Sequence, residues 1–162
     1  MTGRQIVNRN SYVLMAGLVL IVAAYFVAQL GSLGTWLAWI VVVLLLYVGF
    51  LRLRPGRGTA IDVDQLEQVV GGGTPVLLEL YSNYCVVCMA AKPMVDGMEK
   101  ELGRHVRFVK VDVGTLPGKK IAAYVGLDLV PTFIGYDREG TERWRSARLP
   151  PRAELWRRVA AL

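Results

Sequence analysis

The chain is expected to fold as a two-helix transmembrane hairpin followed by one α/β domain, and three observations lead there. Residues 11 to 51 contain no charged side chain. The remainder alternates short apolar runs with helical patterns, and a CxxC pair sits where one such run gives way to a helix. In 162 residues there is room for one membrane anchor and one small domain, and a second soluble domain does not fit.

At about 1.5 Å per residue, a single helix over residues 11 to 51 would be about twice the hydrocarbon thickness, so the segment must fold back. The break is LGSLGT, Leu30 to Thr35, where Gly31, Ser32 and Gly34 supply the only turn chemistry in the run. The spans are therefore placed at about 12–30 and 34–51, after an N-terminal segment 1–11. The rest of the chain is too small to bury so much apolar surface on every side, which excludes a soluble hairpin. The first apolar run is also too long for a cleaved signal peptide.

Formal net charge is +6, but its distribution matters more than its sum. All 13 acidic residues lie from Asp62 onward together with 14 of the 19 Lys and Arg, so that part is close to neutral. Arg4, Arg9, Arg52, Arg54 and Arg57 flank the apolar stretch, and the turn has no charge. This is a membrane-flanking pattern and not a groove for nucleic acid. The arginine bias places both ends of the hairpin, and with them the domain, on the cytoplasmic side.

Residues 52–60, with RLRPGRGT, read as a Pro/Gly/Arg linker, and 61–162 as the domain. IDVDQLEQVV has helical apolar spacing and an Asp available as N-cap, and GGGTP ends it. VLLELY, 76 to 81, is a buried strand. From about Cys85 to Leu102 the pattern is helical, with Pro93 inside and Gly103 at the end. VRFVKVDV is a second strand, LPGKKIAAYVG a short helix ending at Gly126, PTFIGY a third strand, DREG a hairpin turn and TERWRSA a fourth strand. PPRAELWRRVAAL closes with a helix started by its prolines. There Trp144, Trp156, Arg157 and Arg158 read as core tryptophan with solvated arginines, ahead of an interfacial anchor.

Both cysteines of the chain lie in one CxxC, which closes too short a loop to staple distant parts of a fold. Zinc needs four ligands, and the chain offers Cys85, Cys88 and His105, the last in a polar turn, so no metal site is expected. A strand running into a helix that begins at Cys85 puts that thiol at an exposed helix N-terminus, where unpaired N–H groups and the dipole favour thiolate. Cys88 comes one turn later on the same face, placed to attack a mixed disulfide on Cys85. Glu79, a carboxylate inside an apolar strand, is costly unless paired or protonated, and beside a dithiol it suits proton transfer.

Over residues 61–162 the sequence resembles the thioredoxin-like family. Glu79 stands six residues before Cys85 at the family's buried acid, and Pro93 stands five after Cys88 at its helix-kinking proline. Lys110 in FVKVDV matches the lysine near the buried acid, and VPT at 130–132 the cis-proline loop. The C-x-V-C pair, DREG and the late RLP further resemble membrane-anchored thioredoxin-like proteins of thylakoids and cyanobacteria, which present their domain on the lumenal side. The resemblance implies a central mixed sheet flanked by helices, a cis Pro131 whose neighbour Val130 leaves its backbone free to pair with an extended substrate, and Tyr84 at the substrate-facing position usually held by tryptophan. It implies Lys110 as the partner of Glu79. Val86 and Val87 replace Gly-Pro between the thiols and bring neither positive charge nor a side-chain donor to Cys85, which favours a reducing or intermediate potential.

The expected function is a membrane-anchored thiol–disulfide oxidoreductase that reduces protein disulfides. Its partners would be protein disulfide substrates, a thiol electron donor and membrane lipid, with no cofactor beyond a redox-active Cys85–Cys88 disulfide. The alternative is a non-catalytic accessory subunit of a larger membrane complex, with the domain as a docking module.

Overall fold

The computed structural model describes residues 3–56, 58–148 and 150–162, so Met1 and Thr2 of the N-terminal segment, Arg57 of the linker and Leu149 of the RLP stretch lie outside the described residues. A short helix α1 (Gly3–Arg9) precedes two long ones, α2 (Ser11–Leu30) and α3 (Leu33–Leu53). Gly31, left-handed at φ 58°, ends α2 with its N–H on Val27 O, and Ser32 starts α3 by accepting from the Thr35 N–H. Both helices are long and apolar enough to cross a membrane, with mean hydropathy 2.4 and 2.3, and Val27 is the one side chain described as buried in either.

The domain opens with α4 (Val63–Val70), whose Asp62 and Gln65 form a reciprocal capping box. Then come β1 (Val76–Tyr81), α5 (Val86–Leu102), β2 (Arg107–Asp112), α6 (Leu116–Tyr124), β3 (Thr132–Tyr136), β4 (Glu142–Ser146) and α7 (Arg152–Ala160). The sheet order is β2-β1-β3-β4, with β1 parallel to β2 and antiparallel to β3. It is a mixed sheet, and β1 at its centre is buried at every position.

Side-chain alternation along the strands divides the core in two. Leu78, Leu80, Val109, Val111 and Ile134 pack with Leu66 and Val70 of α4 and Ile121 of α6. On the other face Leu77 and Phe133 pack with Val95, Met98 and Leu102 of α5 and Leu155 and Val159 of α7. At β3 a Cβ on Gly135 would lie 2.3 Å from Trp144 Nε1, so the indole needs a bare backbone there. Trp144 is half-buried with the Arg158 guanidinium 5.3 Å from its ring, whereas Trp156 is exposed, so the core role falls to Trp144 alone.

The linker is not a free spacer. The Gly56 N–H donates to Asn83 Oδ1 (2.8 Å), while Asn83 Nδ2 donates to Gly56 O and to Asp112 Oδ2. The Thr59 N–H donates to Lys110 O at 2.7 Å, laying the chain along β2.

Candidate active site

Strand β1 delivers the chain to Ser82, and Cys85 becomes the N-cap of α5 with extended backbone at φ −99° and ψ 117°. Its Sγ accepts from the Cys88 N–H at 3.4 Å, taking the place that a Ser or Asp oxygen ordinarily fills. The hydrogen bond from the Cys88 thiol, against the cost of burial, and then the Cys88 and Val87 N–H groups and the Ser11 hydroxyl, lower the Cys85 pKa to about 7. Cys88 is pushed far up because its proton is shared with Cys85, because it is buried, and because the charges of Cys85 and Glu79 lie close. One thiol is thus readily ionised, and the other holds its proton.

Neither thiol is exposed. Cys85 and Cys88 are both at 0 % relative accessibility, which corrects the expectation that a helix N-terminus would leave Cys85 open. The cover is Asn8 to Tyr12, where α1 turns into α2. Ser82 Oγ donates to Arg9 O (2.9 Å), the Tyr12 N–H to Tyr84 O (2.9 Å) and the Val86 N–H to Ser11 Oγ (3.0 Å). The Val130 N–H donates to Asn8 Oδ1 at 2.8 Å. On sequence alone these residues read only as a charged flank. Asn8, Asn10 and Ser11 beside the span are the available signal, and a solvated flank has the same composition.

Glu79 is 4 % exposed, and burial raises its pKa to about 7 against the opposing charge of Lys110, while the charges of Asp96 and Glu99 add to the rise. Lys110 lies opposite Glu79 in the β1–β2 register, yet its Nζ donates to Asp96 Oδ1 (3.0 Å) and Glu99 Oε2 (2.5 Å) on α5. The expected Glu79–Lys110 pair is therefore corrected to an influence through space, because α5 offers Lys110 two carboxylates in a better-solvated position. Burial alone would lower the Lys110 pKa, and these two hydrogen bonds reverse it to a rise.

Tyr84 is 45 % exposed and stacks on Phe50 in the last turns of α3, with centroids 5.8 Å apart and planes at 11°. Phe50 also meets Tyr12 at 5.4 Å, and the Tyr12 hydroxyl donates to Leu46 O. The Val130–Pro131 peptide is cis, and Val130 O lies 3.8 Å from Cys85 Sγ. Cys85, Cys88, Tyr84, Val130 and Pro131 are thus gathered at one end of the sheet, with Glu79 beneath them. His105 lies in the turn after α5.

The family model described as Thioredoxin matches residues 60–153. The chain is 30 % identical over 96 residues to the chloroplastic thioredoxin-like protein HCF164 of Arabidopsis thaliana, covering 59 % of this chain and 37 % of that protein. It is 25 % identical over 119 residues to the thiol:disulfide interchange protein TxlA homolog of a Synechocystis strain, covering 72 % of this chain and 66 % of that one. The chain thus spans well under half the length of HCF164. Among solved structures, Malassezia sympodialis thioredoxin aligns at 26 % identity and TM-score 0.54, covering 62 % of this chain and 87 % of that one. Mitochondrial thioredoxin 3 of Saccharomyces cerevisiae aligns at 20 % and 0.55, over 62 % and 91 %, a likeness of fold.

Proposed function

The chain belongs to the thioredoxin family, and from that premise we propose that it is a membrane-anchored thiol–disulfide oxidoreductase that reduces protein disulfides. The observation that carries the reading is the N-cap position of Cys85, where the Cys88 N–H points at its sulfur and lowers the cost of the thiolate. The Cys85 thiolate attacks one sulfur of a client disulfide; a Cys85–client bond forms and the client's S–S bond breaks, its other sulfur leaving as thiolate and taking a proton. Cys88 then loses its proton, for which Glu79 is the nearby acceptor, and attacks Cys85 Sγ. The mixed disulfide breaks, the second client thiol is released, and the two electrons given to the client leave a Cys85–Cys88 disulfide. A thiol donor must restore the dithiol. That one curated relative is called a thiol:disulfide interchange protein is consistent with this chemistry.

The anchor is α2 and α3, whose apolar side chains are mostly exposed and whose length matches a bilayer crossing. Arg4, Arg9, Arg52 and Arg54 at the outer ends favour a cytoplasmic domain, where the glutathione poise keeps low-potential dithiols reduced. Insulin reduction driven by dithiothreitol, with residues 58–162 and with the full chain, tests the activity. Catalysis by the fragment, absent in Cys85→Ser, is expected; no rate above dithiothreitol alone would overturn the reading and leave the docking module in its place.

A further inference from the structure

The redox centre is completed by residues outside the domain. Four hydrogen bonds from Asn8 to Tyr12 fall at the rim of the CxxC: Asn8 on Val130, Arg9 O on Ser82, Ser11 on Val86, and the Tyr12 N–H on Tyr84. These four domain residues are Cys85's immediate surroundings, two beside it in sequence and Val130 with its carbonyl at 3.8 Å from the sulfur. A client strand that is to present a disulfide to Cys85 must approach through this rim and pair with its free backbone groups. The Val130 N–H is the donor such a strand would use, and Asn8 already holds it.

We propose that Asn8 to Ser11 is a built-in occupant of the client groove, which keeps Cys85 covered until a client displaces it. The inference rests on the oxidoreductase reading and adds the regulation of its site. Two observations make the cover a removable one. Helix α1 has seven residues and none of them is buried, so hydrogen bonds hold it, with little apolar surface behind them. Between α1 and the 127–130 loop lies an open cavity of about 260 Å³, lined in part by Gln5, Asn8, Leu127 and Leu129, so α1 stands off the domain on that side.

The hinge end is fixed. Tyr12 is seated against Phe50 and hydrogen-bonded to Leu46, which ties the mouth of α2 to the end of α3. Displacement therefore lifts residues 3 to 11 while the hairpin from Tyr12 onward stays in place. Ser11 has a second part: besides accepting from the Val86 N–H, it is among the groups that lower the Cys85 pKa. The cover thus helps to keep charged the sulfur that it shields. A soluble disulfide meets a closed groove, whereas a partner that engages the anchor can open it, which selects for clients at the membrane surface.

The test is the rate at which N-ethylmaleimide alkylates Cys85, followed by peptide mass spectrometry, in the reduced full chain in lipid nanodiscs between pH 5.5 and 9. Asn8→Ala removes the latch on Val130 and should raise the high-pH plateau about fivefold, the worth of one net hydrogen bond, while leaving the midpoint where it was. Asn8→Asp keeps an acceptor oxygen and should stay at or below the wild-type plateau. Ser11→Ala should move the midpoint upward. An Asn8→Ala plateau equal to wild type, or an equal rise in both Asn8 variants, would overturn the proposal. Alkylation needs no turnover, so insulin reduction without a plateau change sinks the cover alone, and a plateau change without insulin reduction sinks the oxidoreductase alone.

Discussion

Glu79 and Lys110 face each other across β1 and β2, yet the Lys110 ammonium directs its hydrogen bonds to Asp96 and Glu99. The carboxyl beneath the dithiol is therefore governed by burial first, with the Lys110 charge only partly offsetting it. A carboxyl that titrates near 7 is neutral or charged with almost equal ease in neutral solution. That is the condition under which it can accept the Cys88 proton in one step and return it in another.

The same shift makes a stability prediction. The folded chain holds the Glu79 proton up to about pH 7, whereas the unfolded chain releases it near 4.5. The raised value means that the stabilisation is complete below about pH 4.5 and lost as pH rises through about 7, a loss on the order of 3 kcal/mol. Glu79→Gln should abolish that part of the slope and be the more stable protein at pH 8, read from urea unfolding at pH 5 and pH 8. It should also slow disulfide exchange near neutral pH by about a hundredfold, the low end for a positioned proton acceptor. Parallel stability curves with an unchanged pH–rate profile would remove Glu79 from the mechanism.

Lys110→Met separates influence through space from a direct pair. It removes the one neighbouring charge whose effect on Glu79 exceeds those of Asp96 and Glu99, and leaves both of those carboxylates without their shared cation. The acidic midpoint of the exchange rate should then move above its wild-type position, with the maximal rate kept. A loss of rate at every pH with no movement of the midpoint would show Lys110 acting by some other route.

The two thiols differ by chemistry and not by exposure, since both are buried. Cys85 ionises near 7, while Cys88 is held protonated by its neighbour and by burial. Cys88→Ser should accumulate mixed disulfides through Cys85, and Cys85→Ser should trap almost none. Equal trapping by both on a non-reducing gel would contradict the assignment of attacking and resolving roles.

The features legible in the sequence are those that local chemistry decides. VLLELY reads as a central strand because every position is apolar but one, and that exception, Glu79, marks the site. The N-cap Asp in IDVDQLEQVV announces a helix start, and the break at Gly31 and Ser32 announces the hairpin, because glycine and cap chemistry act within a few residues. The cover over Cys85 was not legible. Its hydrogen bonds join residues more than seventy positions apart and use Asn and Ser side chains that leave no periodic mark. The choice of Asp96 and Glu99 by Lys110 was hidden for the same reason, since it depends on how α5 lies over the sheet.

The side of the membrane on which the domain lies follows from the same contacts. The hydrogen bonds of residues 8–12 with Ser82, Tyr84, Val86 and Val130 require the segment before α2 and the domain after α3 to share one face of the bilayer, which calls for an even number of crossings. With Arg4 and Arg9 before the hairpin, Arg52 and Arg54 after it and no charge in the turn, that face should be the cytoplasmic one. Because Cys85 is covered, the reporter should be an exposed site away from the centre: Lys120→Cys in a chain carrying Cys85→Ser and Cys88→Ser. A membrane-impermeant maleimide applied to intact cells should leave it unlabelled, and lysis should expose it. Full labelling before lysis would put the domain outside, where the cytoplasmic glutathione poise no longer acts, and the reducing equivalents would then have to be carried across the bilayer by a separate donor.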